Sequence, residues 1–379
     1  MATPLPAPGE ERLGPPAREE AQACMDAVLT AVDPGDGPSE LQSMLIGAAF
    51  ASMTGHDLQS AATVSPQDLA GVLGDRNEAF RTRILQTMIL GALVLRPLPA
   101  PVAQRVREYA RELSVDDGML AVAERFAEGQ LGLAAVDFER NGYTSDWDRS
   151  RTEALHASSA LEVAWQQSVA DPQLASRWEA FEGYPEGSLG RRMWELYRAR
   201  GFAFPGTPGS APPLLAQHDF VHVLAGYGTR VESELEVFAF IARANDDPRG
   251  FSLLAMVVSL FETGYLQTGA GLFESFPGQL SQQGMAARVA DALRRGALSH
   301  GLDGAPDVDF LDVDWFALAD RQVDDLRDAF GIVPKASTAI EAGSVGPWEP
   351  GGISPYQHEQ TQRLAAEAGR AYESFGARP

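Results

Sequence analysis

Gln217-His218-Asp219-Phe220-Val221-His222, followed after a glycine turn by Glu234, is where this chain gathers potential metal ligands at usable spacings. Pro212 and Pro213 suit a helix's first turn, where a missing N–H costs nothing, and Ser210 is placed to cap it. Gly226-Tyr227-Gly228 supplies the left-handed positions that stop a helix. Within that helix His218 and His222 are one turn apart, and Asp219 lies about 100° round from His218, so the three share a face. Thr229 and Glu232 read as a capping box that opens a second helix. That pairing occupies Glu232 and leaves Glu234 free, on one stripe with Phe238 and Ile241 and so pointing inward. In an antiparallel helix pair, His222 and Glu234 then face each other at similar depth. The donors His218, Asp219, His222 and Glu234 suit zinc, with magnesium, manganese or iron as alternatives. The plainer reading makes the histidines satisfied core residues and Asp219 an acceptor that orients His218 without touching a metal.

Composition narrows the classes. The chain has 379 residues, length enough for two domains, and its 45% hydrophobic content can build a proper core. A net charge of −22 disfavours nucleic acid, which needs clustered positive charge, and disfavours electrostatic attachment to an anionic membrane. It leaves insertion of an apolar patch open, so the expectation is a cytoplasmic chain with peripheral membrane contact. Cys24 is the only cysteine, so no disulfide, cysteine zinc finger or iron–sulfur cluster forms within one chain. The first 20 residues have neither the basic start nor the apolar run of a secretory signal. Lys335 is the only lysine and sits in an expected loop, which argues against a P-loop, a kinase or a pyridoxal Schiff base. No Gly-x-Gly-x-x-Gly or Gly-x-Ser-x-Gly pattern occurs in a supporting context.

The periodicity predicts an all-α protein of two helical domains, the second containing the metal-binding antiparallel hairpin. Residues 1–18 read as a disordered tail, rich in Pro, Gly and charge. Residues 19–140 read as a helical bundle, with apolar spacings of three and four at 21–32, 40–53, 77–95, 102–113 and 119–136. This bundle has a faint similarity to tellurite-resistance TerB-like domains, carried by no diagnostic residue, and a docking or regulatory role is its simplest reading. Turn-rich residues 141–148 mark a boundary before the domain at 150–335, and 149–169 carries a further helical pattern. Residues 251–261 form the most apolar run, too short to span a bilayer and read as a core helix or the wall of an apolar channel. Asp307, Asp309, Asp312 and Asp314 fail the calcium-loop template and read as a short extended segment leading into a capped helix. Residues 336–379 read as a Gly/Pro-rich linker followed by a docking helix near 358–375.

His218-Asp219-Phe220-Val221-His222, then eleven residues, then Glu234, resembles the signature of the coenzyme Q biosynthesis protein 4 family. Gly226 matches a glycine those proteins carry, and Pro185-Glu186-Gly187-Ser188-Leu189-Gly190-Arg191 is similar to their Pro-x-Gly-Ser-Leu-Gly-Arg segment. Asp314-Trp315, Leu326-Arg327 and Gly331-Ile332 are similar to their closing helix, so the resemblance runs from about 172 to 335. It departs in the N-terminal region, in Ser233 beside the glutamate, and in the Gly- and Gln-rich stretch after Phe273. The resemblance implies ubiquinone-type biosynthesis, in which a metal-dependent enzyme replaces the ring carboxylate of a prenylated aromatic by hydroxyl. It gives His218, Asp219, His222 and Glu234 that catalytic role. The partners it implies are a prenylated quinone precursor or isoprenoid lipid and other quinone-biosynthesis proteins, with a homodimer as a further expectation. A second reading is a non-catalytic scaffold that presents a prenyl lipid. A third, prompted by His218-Asp219, is an HD-type phosphohydrolase drawing on His156 and Asp246 or Asp247.

Overall fold

The computed structural model describes residues 16–117 except 96, then 120, 121 and 123, then 170–244 except 209, 211 and 212. It also describes 254 and 258, and 280–379 except 306. The expected features at 119–136, 141–148, 149–169 and 251–261, with His156, Asp246 and Asp247, lie wholly or largely outside the described residues.

The protein is all-α, as its periodicity predicts, with no strand among the described residues. The first five helices are α1 (Arg18–Val32), α2 (Glu40–Thr54), α3 (Pro66–Val72), α4 (Glu78–Leu93) and α5 (Ala100–Glu112). Ser39 caps α2 in a full capping box with Gln42, which ties down two end N–H groups. The Gln42 amide is buried and satisfied, donating to the Val32 carbonyl at 2.9 Å and the Gly91 carbonyl at 2.7 Å. One side chain thereby joins α1, α2 and α4, and Gly91 lets Val32 and Ile46 press close.

The remaining helices are α6 (Pro172–Glu179), α7 (Leu189–Arg200), α8 (Pro213–Ala225), α9 (Val231–Ala244) and α10 (Met285–Leu298). They are followed by α11 (Trp315–Leu318), α12 (Val323–Ala329), α13 (Ser337–Glu341) and α14 (Pro355–Glu367). α10 lies between α9 and α2, and one continuous buried apolar cluster runs through helices of both halves of the chain. An aromatic block backs α8: Phe220 stacks on Trp315 at 5.5 Å between ring centres, and Trp178 touches Phe220, Tyr197 and Phe181. Among the described residues no helix is long and apolar enough to cross a membrane.

The region read as linker and docking helix is used within the chain itself. The helix there runs Pro355–Glu367, ends earlier than expected, and packs on α7. Asp314 caps α11 as expected, its carboxylate accepting the Ala317 N–H at 3.2 Å.

Candidate metal centre

α8 ends at Gly226, whose φ of +75° is the left-handed stop the sequence predicts. The chain turns through Gly228 and re-enters as α9, so the two helices form a hairpin with His218, Asp219 and His222 on one arm and Glu234 on the other. The structure brings all four together. His222 Nε2 lies 3.3 Å from Glu234 Oε2, and His218 Nε2 lies 3.4 Å from the same oxygen and 3.3 Å from Asp219 Oδ1. His222 is fully buried, Glu234 and Asp219 are buried, and the His218 side chain retains 12% exposure as the one nearest solvent.

A physical test of the fit is the spacing between donors. Ligands about 2.0–2.1 Å from a tetrahedral zinc stand about 3.3–3.4 Å apart, because a tetrahedron's edge is 1.63 times its centre-to-vertex distance. Three of the six edges of such a site, 3.3, 3.4 and 3.3 Å, fall on that value, and His218, Asp219 and His222 each offer a ligand atom within 4.8 Å of the others. The ring of His222 is also set for a metal. Its Nδ1 lies 2.7 Å from the Gly228 carbonyl, an acceptor only, so the proton sits on Nδ1 and the Nε2 lone pair faces the site. That Nε2 is buried and makes no hydrogen bond, its approach to Glu234 being outside hydrogen-bond geometry.

Sequence reading missed the residues behind this donor set. Tyr197 on α7, fully buried, donates its hydroxyl to Asp219 Oδ2 at 2.5 Å and leaves Oδ1 toward His218. Burial, helped by the Asp219 charge, raises the Tyr197 pKa well above the usual phenol range, so it remains a donor. Burial by itself would raise Glu234, but the facing His222 and His218 imidazoles, positive when protonated, outweigh it and bring the carboxyl down to about 2. The site therefore holds an ionised carboxylate.

Arg200 at the end of α7 lies next to the hairpin turn. It donates Nε to Thr229 Oγ1 at 2.6 Å and Nη2 to the Pro347 and Gly352 carbonyls at 2.7 and 2.9 Å. This corrects the capping box expected at Thr229 and Glu232. The Thr229 hydroxyl faces Gln357 Oε1 at 2.9 Å as well as Arg200, and Glu232 approaches Arg230 at 3.7 Å. A hydroxyl that satisfies a buried guanidinium is worth more than one that caps a helix end.

The other segments of the resemblance have structural roles. Ser188 caps α7, and the Gly190 N–H reaches the Ala319 carbonyl at 2.7 Å, so the 187–191 segment lies along 319–323. Arg327 donates to the Leu224 and Val223 carbonyls at 2.8 and 3.1 Å, closing the C-terminal end of α8. A pattern of conformationally special glycines and a lone Arg was the only sequence signal for these contacts.

No protein-family profile matches the chain, and no curated protein does. Among solved structures, the chain is similar to a crystal structure of a "putative ubiquinone biosynthesis protein" from Nostoc punctiforme PCC 73102. The identity is 20%, covering 58% of this chain and 98% of that one, with a TM-score of 0.33.

Proposed function

We propose that this chain is a metal-dependent enzyme of ubiquinone-type, isoprenoid-quinone biosynthesis, acting on a prenylated aromatic carboxylate by oxidative decarboxylation: the bond from ring to carboxylate breaks with loss of carbon dioxide and a ring C–O bond forms, the two electrons passing to a co-substrate oxidant of the dioxygen class. The observation that carries the metal reading is the donor set itself: His218, Asp219 and His222 with ligand atoms within 4.8 Å of one another on one arm of a hairpin, Glu234 Oε2 3.3–3.4 Å from both histidines on the other, and the His222 lone pair turned inward by Gly228. The substrate class comes from the resemblance of His218-Asp219-x-x-His222 and Glu234 to the coenzyme Q biosynthesis protein 4 signature.

A divalent ion held here supplies a Lewis acid that polarises a carboxylate or phenolate oxygen and stabilises developing negative charge. The residues of the chain do the rest. His222 and Glu234 are the buried, fixed pair. Tyr197 fixes the rotamer of Asp219 so that one oxygen faces the site. His218, at the solvent side with its ring tilted 31° against Phe238 at 4.9 Å, is the ligand through which an incoming group gains access.

A second reading is a non-catalytic scaffold in which the metal pins two helices beneath a lipid-binding surface. Burial of three of the four donors favours it, because a saturated tetrahedral site leaves no open position. The test is metal content of purified protein beside His222→Ala and Glu234→Ala, followed by turnover of a prenylated 4-hydroxybenzoate. One divalent ion per chain lost in both variants, with product formed only by the loaded wild type, is the expected result. Metal without turnover selects the scaffold. A wild type that takes up no ion after reconstitution ends both.

A further inference from the structure

At the C-terminal end of α8, past His222, an open cleft of about 680 Å³ separates the hairpin turn from the 332–349 segment. Its charged lining sorts by depth. Arg295 and Ser344 are 3% and 2% exposed and Lys335 is half-buried, whereas Asp324, Asp328 and Glu349 stand out in solvent. Two of these outer acids are engaged locally: Asp324 pairs with Arg327 at 2.8 Å, and Glu349 accepts the Gly346 N–H at 2.6 Å.

The inner groups are held but unsatisfied. Arg295 is anchored through Nε to the Val333 carbonyl and through Nη2 to the Ala225 carbonyl, each at 2.8 Å. Its buried Nη1 has no partner, and neither has the buried Ser344 Oγ. Lys335, the only lysine of the chain, sets its ammonium 4.8 Å from the ring centre of Tyr227, and the Arg295 guanidinium lies 5.0 Å from that same centre. Burial lowers Lys335 to about 8, opposed by the Glu236 charge, so it is still largely cationic at neutral pH. Two cations beside one tyrosine ring and a buried hydroxyl, all lining the same cleft in a chain of net charge −22, form an anion-seeking arrangement that helix capping does not require. Ile332, Ile340 and Trp348 supply an apolar wall beside it.

We infer that this cleft is a ligand site separate from the metal centre, taking a small organic molecule with a single oxyanion, carboxylate or phosphate, on an apolar body. Arg295 Nη1, Lys335 and Ser344 receive the oxyanion, and Trp348 and Ile340 cover the rest. The carboxylates at the mouth repel a polyphosphate, which sets the limit at one anionic group.

Calorimetric titration of the full chain with benzoate, phenyl phosphate and inorganic phosphate tests this, beside Lys335→Gln and Ser344→Ala. Saturable binding of benzoate or phenyl phosphate is expected, and whichever binds identifies the oxyanion. Lys335→Gln weakens it by about tenfold or more, the cost of one charge-assisted hydrogen bond, and Ser344→Ala weakens it less. Metal content stays at the wild-type level in both variants. Absence of saturation with every probe, or equal affinity in wild type and a folded Ser344→Ala, overturns the site. Inorganic phosphate binding as tightly as phenyl phosphate overturns the apolar half of the claim.

Discussion

His222 has one ring nitrogen committed to a carbonyl and one left over, and that asymmetry is what the proposed metal site draws on. Tyr197 does the corresponding work for Asp219. Removing its hydroxyl in Tyr197→Phe keeps the ring packing on Trp178 and Phe204 while freeing the Asp219 rotamer. Metal affinity is then expected to fall by about tenfold to a hundredfold, the usual cost of an outer-shell partner, with little change in unfolding midpoint. Competition against a chromophoric chelator measures it, and an unchanged affinity would show that Tyr197 only packs.

Asp309 gives a prediction in pH at the same scale. Burial pushes its carboxyl up from 3.8 to about 7; the Leu311 N–H, at 3.0 Å, lowers it and the Asp312 charge adds to the rise. Between those values the folded chain keeps a proton that the unfolded chain gives up, so stability falls as pH rises through the window. Asp309→Asn retains the acceptor for Leu311 and removes the charge. It is expected to gain about 2 kcal/mol at pH 8 and nothing near pH 3.5, read by urea unfolding at both. An equal effect at the two pH values would sink the argument.

Among the elements, α8 and α10 depend on contacts their own sequences do not advertise. The last three carbonyls of α8 are closed by Arg327 and Arg295, which arrive from helices 103 and 70 residues further along the chain. Cations at a helix C-terminus also complement its dipole. α10 meets α9 at Gly296, where an added Cβ would run into the Phe240 carbonyl. Backbone cannot yield as a flexible side chain does. Gly296→Ala should therefore cost about 2 kcal/mol, against the small gain expected for Gly→Ala in an unobstructed helix. Urea denaturation separates these by sign, and a stabilised variant would show that α9 and α10 can move apart.

For the whole molecule, the C-terminal segment decides how rigid the hairpin turn is. The Val345 carbonyl accepts the Gly228 N–H and the Gly352 carbonyl accepts the Thr229 N–H, each at 2.9 Å. Gly228 lies so close to Gly352 that a side chain there would collide with backbone. Arg200, buried with two of its bonds to carbonyls of this segment, loses those acceptors if the chain ends at Ser344. That truncation is expected to cost about 2–4 kcal/mol for the unmet donors and to weaken metal binding, because the Gly228 carbonyl orients His222. Thermal unfolding and chelator competition on the two chains test it. Equal affinity and stability would make the segment a passive cover.

Sequence alone determined what depends on neighbours within a few turns. Periodicity marks the helices, Gly226 marks the end of α8, and a short turn between two amphipathic helices puts His222 across from Glu234. Tertiary structure decided the rest, for a specific reason. Tyr197, Arg200 and the cleft at Arg295 and Lys335 join residues far apart in the chain, and their partners are largely backbone carbonyls, which every residue carries and no pattern reveals. Thr229 shows the limit most clearly. Its hydroxyl suits a helix cap by local chemistry, and only the arrival of a buried guanidinium from α7 turns it to another use. The Gly/Pro-rich stretch before α14 reads as linker by composition because its contribution is main-chain oxygen, held in place by the fold.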